Sequence, residues 1–168
     1  MLRPATDADS ATLRDWRNQP ANREVSTFQH EISAEEHQRW WDSVQADPTR
    51  QVLVFEYDGR GLGAVTFFDI TEDSAGWGFY LDSETVTAEG IAMMTWIQVM
   101  KDATAYAFDE LGVDLLTGEV NEDNEAVRMM NRRFRFSEGE PRLTEDGRVF
   151  LPISLKREDR RQPKEKKQ

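Results

Sequence analysis

Thr87-Ala88-Glu89-Gly90-Ile91-Ala92-Met93-Met94-Thr95-Trp96 opens the stretch whose reading decides the fold. From about Thr87 to Leu111 the apolar positions Ile91, Met94, Trp96, Ile97, Met100, Ala103, Ala107 and Leu111 recur at helical spacing, and Gly112 supplies a C-terminal stop. The run before it, Trp77 to Leu81, and the run after it, Val113 to Val120, are short and β-rich. Strand, long helix, strand is a crossover unit, so the second strand is expected to join the sheet parallel to the first.

Working outward, Gln51 to Tyr57 and Leu62 to Asp69 are β-rich runs joined by Asp58-Gly59-Arg60-Gly61, and an Asp-Gly pair between such runs is a strong hairpin signal. Upstream, after a short opening strand, Thr6 can cap a helix to about Asn18, with Leu13 and Trp16 on one face and Pro20 as its stop. Ser33-Ala34-Glu35-Glu36 is a capping box for a second helix, Ala34 to Gln45, whose apolar face is Trp40, Trp41 and Val44. Downstream, Asn124 to Arg133 reads as a helix, and Phe134 to Phe136 and Val149 to Leu155 read as closing strands. The expected order is βααβββαβαββ, an α+β fold with a mixed, mostly antiparallel central sheet flanked by helices.

Composition bounds the chemistry. The 168 residues suffice for one domain with its own core, expected over residues 1–155. Without cysteine there is no thiolate nucleophile, redox pair or thiolate metal site, and with only two histidines, His30 and His37, no metal is expected. No apolar run reads as a signal peptide or a membrane span, so the expected location is cytoplasmic and no membrane partner is expected. The net charge is −11, and the seven basic and three acidic residues after Leu155 leave a body near −15 with a tail near +4. Such a body repels a phosphate backbone, so nucleic acid is not an expected partner. The tail, residues 156–168, has no apolar residue to bury beyond Pro163 and is expected to be disordered.

A helix start offers unpaired amides and a positive dipole end, which makes Gly90-Ile91-Ala92 a natural place for a phosphate-bearing ligand. One glycine before a helix is also an ordinary helix entry. Context comes from the blocks that follow: Tyr106-Ala107-Phe108-Asp109-Glu110-Leu111-Gly112-Val113, Gly118-Glu119-Val120, Asn124-Glu125-Ala126-Val127 and Met130-Asn131-Arg132-Arg133-Phe134-Arg135-Phe136. In order and spacing these resemble the GNAT superfamily of acyl-CoA transferases. In the front half, Asp15-Trp16-Arg17-Asn18, His30-Glu31-Ile32-Ser33 and Glu36-His37 with Trp40 resemble the branch that acetylates nucleotide-linked 4-amino sugars.

The resemblance implies a GNAT-like fold and an acyl donor, acetyl-CoA. Its pyrophosphate would sit at Gly90, Ile91 and Ala92, its pantetheine arm would pair with the strand ending near Leu81, and its later part would pass Asn124. The acceptor would be a small-molecule amine, a nucleotide sugar among the choices, and a homodimer is among the expected assemblies. The attacking amine must be neutral, so a carboxylate has to take its proton; Glu119 is the first candidate base, with a solvent-facing strand residue as the other reading. Asp69 and Glu72 at a strand end are weaker candidates. Arg17 and Asn18 are expected to hold a phosphate or sugar hydroxyl, Trp40 or Trp41 to stack on a sugar or base, and His30 to contact the acceptor. Packing and capping between the first two helices is the other reading of these residues.

Three positions depart from the family pattern. The loop Thr87-Ala88-Glu89-Gly90-Ile91-Ala92 lacks the usual Arg or Gln and adds the acidic Glu89; counting back from Ala107-Phe108 shifts its register by about one helical turn. Asn131 stands where many members carry a Tyr or His proton donor, and Arg135 replaces the glycine between the two aromatics. These departures keep open a catalytically inactive GNAT-fold binding protein. The acidic body keeps open a protein N-terminus or an aminoglycoside-like amine as acceptor.

Overall fold

The computed structural model describes residues 1–161. β1 (Leu2–Pro4) leads through the 3-10 turn Asp7–Asp9 into α1 (Ser10–Asn18), α2 (Pro20–Val25) and α3 (Ala34–Gln45). The meander β2 (Gln51–Tyr57), β3 (Arg60–Phe68) and β4 (Ser74–Leu81) follows, then α4 (Ser83–Ala88), α5 (Ala92–Ala105) and β5 (Leu115–Asn121). The chain closes with α6 (Glu125–Arg133), β6 (Ser137–Glu138), β7 (Arg142–Leu143) and β8 (Val149–Lys156). The strands form one sheet in the order β1-β2-β3-β4-β5-β8-β6, with β7 also pairing with β8. Every pairing is antiparallel except β4 with β5, the crossover pair. This is the mixed, mostly antiparallel sheet flanked by helices that the sequence leads one to expect.

Local chemistry explains the joints. Asp58 (φ 52°) and Gly59 (φ 73°) both take left-handed backbone, as a two-residue hairpin turn requires. Ser33 accepts a hydrogen bond from the Glu36 amide at 3.1 Å and starts α3 where expected. Side chains alternate across the sheet: Leu53 and Phe55 of β2 enter the core with Val99, Met100 and Phe108, whereas Val52 and Val54 enter a second core with Leu13, Trp16, Trp41 and Val44. One core lies under α5 and α6, the other under α1 and α3.

The structure corrects several expectations. Pro20 begins α2 at its first position, where a missing N–H costs nothing, rather than only ending α1. The long helix expected from Thr87 is broken: α4 ends at Ala88, Gly90 turns at φ 69°, and α5 begins at Ala92 and finishes in a π-helical turn, Tyr106–Glu110, before Gly112 (φ 74°). Phe134 to Phe136 is not a strand. The amides of Phe134 and Phe136 bond back to Met130 and Asn131 carbonyls, so these residues close α6, and pairing begins only at Ser137.

The start of the basic tail is also placed rather than disordered. Lys156 completes β8, the Arg157 Nε donates to the Asp114 Oδ1 at 2.9 Å, and Arg160 pairs with Asp109 at 2.7 Å. Carboxylates on the acidic body anchor cations that a composition argument leaves in solvent. The remainder of that expectation, 162–168, lies outside the described residues. Among the described residues no helix is long and apolar enough to cross a membrane.

Candidate active site

β4 and β5 pair over only three positions, Ser74–Gly76 with Leu115–Thr117. Beyond them the strands part: β5 continues against β8 and β4 against β3, so among the described residues the inner edge of β4 from Trp77 to Leu81 has no strand partner. Gly118 sits at the fork, where an added Cβ would lie 3.1 Å from the Trp77 carbonyl oxygen. The wedge between the strands opens into a cleft of about 560 Å³, within the range of small-molecule sites. Its walls are β4, the end of β5, Phe150 and Ile153 of β8, α6, Trp96 of α5, Arg17 of α1, and α2 with the loop after it.

The cleft brings together Arg17, Leu81, Glu119, Asn124 and Asn131 from the sequence candidates. Glu119 is half-exposed at the rim, and Arg142 of β7 donates to its Oε2 from Nε and Nη2 at 3.1 and 2.8 Å, with Oε1 outside this pair. Asn131 is buried, and its Nδ2 has no partner among the described residues. Asn124 caps α6 by accepting from the Val127 amide at 3.3 Å. The Leu81 carbonyl accepts from Asn22 Nδ2 at 2.8 Å, a bond that pins the end of β4 to α2. Arg17 donates from Nη2 to the Phe28 carbonyl at 3.0 Å, while its Nη1 has no partner among the described residues. Burial lowers the Arg17 pKa from its usual value, yet a guanidinium retains its charge at neutral pH.

Other candidates lie elsewhere. Asn18 clips the loop after α2 to α1, donating to the Ile32 carbonyl at 2.9 Å and accepting its amide at 2.7 Å. His30 is exposed and paired with Glu36 at 2.8 Å. Trp40 packs on His37 and Trp41 along α3. None of these three lines the cleft, because each is committed to packing or tying the first helices, the other reading open from sequence. Asp69 and Glu72 lie before β4, at the end away from the cleft.

Gly90, Ile91 and Ala92 sit at the start of α5 outside the cleft lining. Ile91 offers no side-chain cap, so the first amides of α5 keep free hydrogens. Arg60 on β3 grips Glu89 with two bonds of 2.7 and 2.8 Å and holds its carboxyl below the usual range. The repulsive charge expected from Glu89 is thereby paired.

Sequence reasoning passed over Trp77, Trp96, Asn22, Tyr80 and Arg142. Both tryptophans sit at regular apolar positions of a strand and a helix, so nothing in the pattern separates them from core. Burial pushes the Tyr80 phenol well above its usual pKa, and it donates to the Leu13 carbonyl at 3.2 Å. Five buried polar atoms lack partners among the described residues, and four belong to cleft residues: Arg17 Nη1, Trp77 Nε1, Trp96 Nε1 and Asn131 Nδ2. All four are N–H donors.

Residues 1–137 match the model of the acetyltransferase (GNAT) domain family. The chain belongs to the GNAT acetyltransferase family. Acetyltransferase PseH of Campylobacter jejuni is 26% identical over 141 residues, 84% of this chain and 82% of that protein. Its crystal structure in complex with acetyl coenzyme A superposes with a TM-score of 0.68 at 18% identity, covering 94% of this chain and 99% of that one. This GNAT fold is shared with spermidine N-acetyltransferase from Vibrio cholerae in complex with CoA and spermine, at a TM-score of 0.76, 15% identity and coverage of 95% and 96%. An aminoglycoside acetyltransferase in complex with acetyl-CoA superposes at 0.77, with 16% identity and coverage of 95% and 94%. The family resemblance read from sequence is therefore correct.

Proposed function

We propose that the cleft binds acetyl-CoA and transfers its acetyl group to the amine of a small acceptor bearing an anionic group, a nucleotide-linked amino sugar being the fitting class. The observation that carries this reading is the set of four unpaired N–H donors on cleft residues. Burying a donor without an acceptor costs about 1–3 kcal/mol, so the ligand that offsets this cost brings oxygens. The amide, carbonyl and phosphate oxygens of a CoA thioester and the phosphates of a sugar nucleotide supply them. A polyamine offers only donors and positive charge, which leaves Arg17 unanswered.

The free inner edge of β4 offers backbone groups to the pantetheine amides as a missing strand would. Of the expected Gly90, Ile91 and Ala92, the first two amides already bond the Thr87 and Val86 carbonyls, so the uncapped start of α5 offers the amides of Ala92, Met93 and Met94 to the pyrophosphate. Arg17 holds a phosphate of the acceptor. Glu119 takes the proton of the ammonium, directly or through a water on Oε1, with Arg142 fixing the other oxygen. The freed amine bonds the thioester carbon, the C–S bond breaks as sulfur leaves as a thiolate, and the extra proton on nitrogen passes through water to that thiolate, giving the amide and free CoA. Asn131 donates to the carbonyl oxygen or the departing sulfur; it stabilises charge and transfers no proton.

Calorimetric titration with acetyl-CoA, followed by turnover with a nucleotide-linked amino sugar and with spermidine, tests the reading. Micromolar donor binding and preference for the anionic acceptor are expected. Donor binding undetectable at millimolar concentration returns the chain to a noncatalytic binding role, and preference for spermidine overturns the acceptor class alone.

A further inference from the structure

A second cavity, of about 510 Å³, lies between α5, the end of α6 and the chain that follows β8. It shares no lining residue with the cleft. Lys101 is nine residues past Ala92, roughly 14 Å along the helix axis. Part of the wall is apolar, from Ile97, Phe134 and Leu155, and the rest is mostly cationic.

The charges of this cavity do not balance. Among the described residues its one carboxylate, Asp102, is already engaged by the Met1 ammonium at 2.8 Å and by Gln98 at 2.8 Å. Arg160 is engaged by Asp109 at 2.7 Å. Lys101, Arg133 and Arg161 also line the cavity, and among the described residues none of them forms an ion pair. Three uncompensated cations around one cavity repel each other, in a body whose carboxylates outnumber its basic groups about two to one. An anion seated between them removes that repulsion, and the apolar wall favours one with a hydrophobic body.

We propose that this cavity is a second ligand site, for a small organic anion that joins an apolar body to a phosphate, sulfonate or carboxylate group. The anionic head would meet Lys101 and Arg133 while the body covers Ile97 and Phe134.

The probe is 8-anilinonaphthalene-1-sulfonate, titrated into the full chain by fluorescence and followed by amide chemical shifts. Shifts are expected at Lys101, Thr104, Ala105 and Phe134, and the Lys101→Glu/Arg133→Glu double variant is expected to bind at least tenfold more weakly. Both side chains are exposed, so the reversal leaves the core intact, and the amide spectrum of the variant verifies this. Inorganic phosphate titrated alone is expected to shift the same amides more weakly, which separates the head from the body. Unchanged affinity in the double variant, or shifts confined to Phe79, Leu81 and Asn121 of the cleft, overturns the proposal.

Discussion

At the scale of single residues, Arg135 carries an avoidable cost. It takes φ 69° at the end of α6, in the left-handed region where a Cβ crowds the following carbonyl. Arg135→Gly is expected to stabilise the fold by roughly 1 kcal/mol, read as a higher urea midpoint at unchanged slope; a lower midpoint would mean the arginine side chain holds something. Glu119 carries the catalytic prediction. Glu119→Gln should lower kcat by about 10²–10⁴-fold, the range for losing a general base, with little change in acetyl-CoA affinity. Equal turnover at saturating amine across pH would remove Glu119 from the mechanism.

Among elements, α3 is fastened to α1 through a buried histidine. His37 packs on Trp40 and shares a hydrogen bond of 3.1 Å with the Ser10 hydroxyl, and burial lowers its pKa below the usual 6.5. A histidine depressed in the folded state gives stability that is complete above 6.5 and lost as pH falls toward its folded value. Thermal midpoints should therefore fall as pH drops below about 6.5, and His37→Gln, which cannot charge, should flatten this part of the profile. A second loss follows at lower pH, because Arg3 holds Asp9 down to about 2 and that pair, between β1 and the entry to α1, is lost only as pH falls from about 4 toward that value. A profile that is flat from pH 7.5 to 5 in both proteins would contradict the His37 assignment.

For the whole molecule, the balance of charge sets how acceptors arrive. The body is near −15, so its long-range field opposes the anionic acceptor that Arg17 would hold at close range. Salt screens the long-range part first, since the Debye length falls from about 30 Å at 0.01 M to about 8 Å at 0.15 M. The KM for a nucleotide-linked amine should fall as ionic strength rises through this range, whereas that for a cationic amine should rise. Initial rates at 10 and 150 mM salt decide it; a KM for the anionic acceptor that climbs with salt would place the controlling charge inside the cleft.

The meander, the crossover and the capped start of α3 were legible in the sequence because hairpin turns, caps and helical periodicity are local and repeat the same physics everywhere; the GNAT family was legible only as a resemblance, carried by blocks such as Gly118-Glu119-Val120 and Met130 to Phe136. Glu119, Asn124 and Asn131 could be placed on the right strand and helix for the same reason. The separate helix α4 before Gly90, the closing turn at Arg135 and the docking of Arg157 and Arg160 could not be read there, since each depends on partners distant in sequence or on one backbone angle. Asn18, His30 and Trp40 look like ligand groups in a string of residues and are bonded to or packed on their neighbours, while Trp77 and Trp96 look like core, pack in or against it, and also line the cleft. The sequence by itself determined the main elements and their order, from α1 and α3 through the meander and the crossover to α6 and β8, but not α2, α4 or the short strands β6 and β7. Only the tertiary structure decided which donors stay unpaired, because hydrogen-bond satisfaction is a property of the packed molecule and not of any segment.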